Sequence, residues 1–265
     1  MTDHLQRLER ATAELEAPFA AVDLDAFWNN AADMERRAAP KLIRLASKSV
    51  RCRALQERVL ARPGYHGILA FTLPEGLWLA EHGFEDIVVA YPTADRRALR
   101  SLARLAELRT RVAVMVDSVA QLNLIEAAIG DLGEGGALRV PGGGGEVCDS
   151  GETGEGSRSA VRVCIDLDAG LWMLDGRIRI GAKRSPIHTP SDAAALAREI
   201  VGRKRLQLVG MMAYEAQIAG LGDAPPGRRL RGAAIQMLQR RSARELMLRR
   251  AEAVGAVQDV LRAGS

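Results

Sequence analysis

The amino-acid sequence predicts an α/β protein built as a (β/α)8 TIM-type barrel, an incomplete one. Short apolar runs alternate with longer stretches of helical period, the pattern of parallel strands joined by right-handed crossovers. The runs are apolar nearly throughout, as strands are when both faces are covered. No G-x-G-x-x-G turn follows the first run, which argues against a doubly wound dinucleotide-binding sheet.

The elements follow in order. Phe19–Leu24 reads as a strand, and a helix follows from about Asp25 to Arg37. Leu42–Ala46 is the second strand, with a helix over Arg51–Ala61. Gly67–Phe71 is the third, and its helix starts near Pro74, where a missing N–H is harmless in the first turn. Asp86–Ala90, Val112–Val116, Val161–Leu167 and Leu206–Met212 complete seven strands. Helical patterns cover Asp95–Glu107, Ser118–Ile129, Ser191–Val201 and about Arg231–Arg262. Residues 1–17 read as a polar N-terminal helix preceding a barrel domain over 18–265. Gly133–Ser159, rich in Gly, Glu and Ser, has little to bury and reads as a flexible insertion. It lacks the Lys-Ser/Thr ending of a phosphate-binding P-loop. The chain stops at Ser265 without a visible eighth strand, so a shortened barrel with an open edge is expected.

Composition narrows the function classes. The 265 residues are 48% hydrophobic and 26% charged, enough for one substantial core with an ordinary soluble surface. Net charge is +4 and the pI is about 9.2. The basic run from Arg228 to Arg250 reads as a solvated helix face rather than a nucleic-acid patch. Aromatics at 4% leave few stacking platforms for single strands. Three cysteines, Cys52, Cys148 and Cys164, do not form a disulfide framework. The charged stretch Met1–Ala17 is no signal peptide, and no run is long enough to cross a bilayer, so a cytoplasmic protein is expected.

Lys48, in Ala46-Ser47-Lys48-Ser49, sits just past the second strand, on the rim where such barrels gather their chemistry. An amine there can form an imine with an aldehyde, more readily if partial burial lowers its pKa. Asp166 and Asp168 could serve as a metal pair, but a strand-end cap or polar rim contact is the preferred reading. His66, His82 and His188 lack metal-ligand spacing and are placed on loops or surfaces. Cys52 has no apparent His partner. No metal site is expected.

Several segments together carry a resemblance. They are Val22-Asp23-Leu24-Asp25-Ala26-Phe27 with Asn30, Ile43-Arg44-Leu45-Ala46-Ser47-Lys48-Ser49, Leu73-Pro74-Glu75, Ile87-Val88-Val89-Ala90-Tyr91-Pro92, Ile165-Asp166-Leu167-Asp168-Ala169-Gly170 and Gly210-Met211-Met212-Ala213-Tyr214-Glu215. In this order, at strand ends, they resemble the alanine racemase-like (fold type III) pyridoxal-phosphate enzymes. Lys183-Arg184-Ser185-Pro186 and Tyr214-Glu215-Ala216-Gln217-Ile218-Ala219-Gly220 point to the amino acid deaminase/aldolase branch, similar to D-threonine aldolase and D-serine dehydratase. The resemblance implies pyridoxal 5'-phosphate as cofactor and Lys48 as its Schiff-base lysine. It implies Tyr214 facing the cofactor ring or substrate. It also implies Arg184 supporting the cofactor or the substrate carboxylate. The implied activity is a lyase acting on a small, D-configured β-hydroxy amino acid, in a chain that is a possible homodimer. The family's eighth strand and C-terminal β domain find no counterpart, so a truncated form with impaired activity is expected. A non-catalytic pyridoxal-phosphate homeostasis protein is the alternative, although Gly67-Ile68-Leu69-Ala70-Phe71-Thr72 departs from its His-Phe-Ile-Gly-type segment. An amino acid racemase is a further alternative.

Overall fold

A computed structural model describes residues 2–130, 160–174, 176–220, 222 and 229–264. The expected Gly-rich insertion lies outside the described residues. The chain divides into two compact units, Met1–Gly67 and Ile68–Ser265.

The first unit carries α1 (Thr2–Ala11), α2 (Leu24–Ala38), β1 (Ile43–Ala46) and α3 (Arg53–Leu60). The predicted strand over Phe19–Leu24 does not form: residues 19–23 are irregular, and Phe19 and Val22 are exposed. Side-chain chemistry turns the chain into a helix instead. Asp23 is the N-cap of α2, its carboxylate accepting from the Ala26 N–H at 3.1 Å. The Arg7 guanidinium pairs with Asp23 and, at 3.2 Å, with Asp25. Further along, Arg62 clasps Glu35 of α2 through two hydrogen bonds of 2.5 and 2.6 Å, and the Tyr65 hydroxyl donates to the Ala31 carbonyl. β2 (Tyr65–Ala70) runs across the boundary between the units.

The second unit continues with α4 (Leu73–Glu81), β3 (Ile87–Val89), α5 (Arg96–Arg104), α6 (Ala106–Arg111), β4 (Val112–Val116) and α7 (Val119–Gly130). After the undescribed stretch come β5 (Val161–Leu167), the short strands β6 (Leu171–Met173) and β7 (Ile178–Ile180), α8 (Pro190–Val201), β8 (Leu206–Ala213), α9 (Ala216–Ala219) and α10 (Arg229–Ala263). The strands from β2 onward pair in parallel in the order β2-β3-β4-β5-β8, while β6 and β7 form a separate antiparallel hairpin. Each strand lies beside the next main strand in the chain, and the order never reverses. A doubly wound sheet requires a reversal; sequential winding is how a barrel grows.

Burial explains the apolar strands. All five residues of β4 are buried, as are Val161, Val163, Cys164, Ile165, Asp166 and Leu167 of β5. Helix residues Leu79, Leu99, Leu102, Leu122 and Ile200 share that core. The predicted helix over Asp95–Glu107 is instead two, because Leu105 is extended (φ −104°, ψ 116°). The Arg109 guanidinium donates to the Ala103 carbonyl, satisfying one of the acceptors that a helix end leaves open. In β8 the register with β5 shifts: Val163 faces Leu208 and Cys164 faces Gly210, leaving Val209 as an extra, exposed residue. Such bulges re-aim the strand beyond them. No helix among the described residues is long and apolar enough to cross a membrane.

Candidate active site

Lys48 occupies a tight turn directly after β1. The turn is closed by local backbone bonds, Ser49 N–H to the Ala46 carbonyl at 3.0 Å and Val50 N–H to the same oxygen at 3.3 Å. Arg51 donates to the Lys48 carbonyl at 3.3 Å, and the Gln56 amide donates to the Val50 carbonyl at 2.6 Å. Ser47 is fully buried, while Lys48 itself is exposed. No described residue pairs with its ammonium group. The result is a free primary amine on a rigid strand-end mount.

In the second unit, the polar residues at the C-terminal ends of β3, β5 and β8 converge. Asp166 of β5 is wholly buried, and its Oδ2 accepts from Arg184 Nε at 2.8 Å. Arg184 also donates to the Ala90 carbonyl, just past β3. Its guanidinium lies over the Tyr91 ring at 4.3 Å and faces the Tyr214 ring, past β8, at 5.5 Å. Cations are attracted to ring faces at such distances. Two rings and two acceptors thus fix one planar cation, while its Nη1 has no partner among the described residues. The Arg184 side chain is only 12% exposed. Phe71, past β2, meets Tyr91 edge-on at 5.6 Å.

The two aspartates of the strand end behave oppositely. Burial pushes the Asp166 carboxyl up; Arg184 opposes this, Asp117 and Asp168 add to it, and the net shift is upward. Its Oδ1 is buried without a hydrogen-bond partner. Burial also pushes Asp168 up, but His188, the Gly170 N–H and the Trp172 indole N–H outweigh it, and the net shift is downward. Those contacts are Gly170 N–H to Oδ1 at 3.1 Å, Trp172 Nε1–H to Oδ2 at 3.0 Å, and His188 Nδ1 at 3.4 Å from Oδ2. Both residues act as polar strand-end contacts, the reading preferred from the sequence. Among the described residues no group of three His, Cys, Asp or Glu side chains could hold a metal ion.

His188 lies on the loop that enters α8, within the expected loop-or-surface placement, but it is buried there and stacks on Trp172 with centroids 3.8 Å apart and planes 5° from parallel. Arg179 covers the Trp172 ring at 3.8 Å to its centroid. His66 and His82 are exposed, as expected. Of the three predicted site residues, Arg184 and Tyr214 come together in the second unit, and Lys48 stands in the first. The sequence reading passed over Tyr91, Asp166 as the partner of Arg184, and Arg249, whose role is described below. The strand-end sequence Ile165-Asp166-Leu167-Asp168 held the one usable signal, since charged residues closing a buried strand need partners.

Residues 22–252 match the family described as alanine racemase, N-terminal domain. Among solved structures, the D-threonine aldolase from Filomicrobium marinum is 21% identical, covering 88% of this chain and 54% of its own, with a TM-score of 0.57. The alanine racemases from E. faecalis (14% identity, 79% of this chain, 47% of its own, TM-score 0.44) and Corynebacterium glutamicum (16%, 83%, 51%, 0.45) also match. The chain therefore spans about half the length of these proteins. No curated protein matches.

Proposed function

The chain belongs to the alanine racemase N-terminal domain family, and from that premise we propose that it is a lyase of the amino acid deaminase/aldolase type. Its substrate in this reading is a small D-amino acid with a β-hydroxyl group. Pyridoxal phosphate is the cofactor of the family, and when bound it supplies an electron sink for the bonds at the amino acid's α-carbon. The residues present suit it. Lys48 Nζ, exposed on its strand-end turn and without a partner among the described residues, is an amine able to hold an aldehyde. The same nitrogen would serve as the group that accepts a proton from the substrate. Arg184 offers Nη1, which has no partner among the described residues, to an anionic group of cofactor or substrate, a match that suits a planar fork. Tyr214 presents its ring 5.5 Å from that guanidinium. Assembly as a homodimer and a cytoplasmic location belong to the same proposal.

The observation that carries this reading is the Arg184 cluster: a nearly buried cation, fixed by two rings, Asp166 and the Ala90 carbonyl, with one nitrogen left without a partner among the described residues. Such a group at strand ends recognises an anion. The test has two stages. Adding pyridoxal phosphate to the purified chain is expected to produce a visible absorption band, and borohydride should then fix the cofactor's mass on Lys48. Loss of both in Lys48→Ala supports the assignment; labelling of another lysine refutes it. Supplying D-threonine and D-serine separates the activities. Glycine and acetaldehyde from the first, or pyruvate and ammonia from the second, support the lyase. Loss of optical rotation without cleavage indicates a racemase, and cofactor binding without turnover indicates a homeostasis protein.

A further inference from the structure

One charged residue remains that the proposed chemistry does not use. Arg249, midway along α10, is 8% exposed. All five of its N–H donors can be accounted for. Nε and Nη2 donate to the Glu245 carboxylate one turn earlier, at 2.6 and 3.1 Å. Nη1 donates to the Asp168 carbonyl at 2.7 Å and the His188 carbonyl at 3.0 Å, and Nη2 to the Gly170 carbonyl at 3.1 Å. The three carbonyls have a common property. Asp168 and Gly170 lie where the chain leaves β5; His188 lies where it returns to enter α8. Between them runs the excursion that contains the β6–β7 hairpin and Arg184.

We propose that Arg249 is a positioning residue for Arg184: by pinning both ends of the 171–187 excursion to α10, it holds the guanidinium at the angle required to receive an anion. The inference rests on the site reading above, and deepens it. Other bonds in the same place share the task but bridge less. Asp168 N–H donates to the Ile187 carbonyl at 2.7 Å, Ser185 Oγ to the Asp166 carbonyl at 2.5 Å, and the buried Gln217 amide of α9 to the Ala169 carbonyl at 2.5 Å. Each of these links a single pair of residues. Among the described residues, only the planar fork of Arg249 joins departure, return and helix at once. Lysine cannot replace it, because one nitrogen with three donors cannot make the five bonds that Arg249 makes from three.

The test uses the full chain with Arg249→Met and Arg249→Lys. Hydrogen exchange needs no cofactor. Amides of 182–188 are expected to exchange on the order of tenfold faster or more in both variants, with β3 and β4 unchanged, since charge-assisted bonds to that segment are lost. In the cofactor-loaded protein, KM for D-threonine is expected to rise about tenfold while cofactor loading on Lys48 stays the same and kcat changes less. A purely structural role would lower Tm and leave KM of the folded protein alone. The proposal is overturned if exchange in 182–188 matches the parent, or if Arg249→Lys restores both readouts. Should Arg249→Met fail to fold, Arg249→Lys decides by itself. If the parent chain loads no cofactor, the functional reading fails, and the exchange measurement still decides whether Arg249 holds the segment.

Discussion

Lys48 and Arg184 are placed by opposite means. The Lys48 turn is closed by bonds among residues 46 to 56. Arg184 takes its place from Asp166, 18 residues back, and Ala90, 94 residues back, with rings at positions 91 and 214. The difference teaches where each kind of function tolerates change. A locally mounted amine needs only its turn, so substituting it removes chemistry and little stability. A guanidinium assembled from distant strands is part of the packing, so substituting it removes both.

The largest contrast is therefore expected between Lys48→Ala and its parent in turnover. Losing the proposed nucleophile and base should cost about a thousandfold or more in kcat, while the thermal midpoint stays within the scatter of surface variants. A large drop in Tm would break the comparison. Next comes Arg184→Met, which strands the fully buried Asp166 without its counter-ion. Breaking a buried pair by removing one partner costs about 3–5 kcal/mol, read as a shift in the denaturant midpoint. A change below about 1 kcal/mol would mean that the cluster is not part of the packing.

Acid response sharpens the comparison within the cluster itself. Asp168, held below its usual range, contributes stability that is present above its unfolded pKa of about 3.9 and is lost as pH falls through the folded value. Asp168→Asn should therefore be destabilising at neutral pH and progressively less so on acidification. Asp166, pushed up, has the opposite sign: its contribution is full below the unfolded pKa and is lost as pH rises through the raised value. Carboxyl carbon shifts followed by NMR should show Asp168 titrating below Asp166; the reverse order would refute the assignment of their surroundings. The smallest effect is expected at Thr189, whose hydroxyl accepts from the Asp192 N–H at 3.1 Å while Asp192 accepts from the Thr189 N–H at 2.9 Å. This capping box is local although it borders the distant cluster. Thr189→Ala should cost roughly 1 kcal/mol and leave cofactor loading unchanged, which urea melts and absorbance will establish.

The same division governs what could be read from sequence. β4 and β5 lie where their apolar runs put them, because five consecutive buried residues in each admit little else. The place of Lys48 just past a strand was legible for the same local reason; its proposed role came from the resemblance. Phe19–Leu24 looked equally apolar, yet Asp23 was taken up as a helix cap and an Arg7 partner, which no run of hydrophobicity encodes. The β6–β7 hairpin escaped notice because three-residue strands carry no periodicity; its turn rests on positive φ at Leu174 and Gly176. Arg184 and Tyr214 were found only through resemblance. Burial of His188 and the reach of Arg249 across 61 to 81 residues left no local trace at all.

The extra residue in β8 gives the site a dependence on counting. Side chains alternate faces along a strand, so each inserted or deleted residue inverts every assignment downstream. With Val209 present, the ring at 214 falls beside Arg184. A one-residue deletion at 209 would be invisible in composition and nearly so in volume. It would nonetheless hand the position of the tyrosine to a neighbour, five residues from the place where the chain was changed.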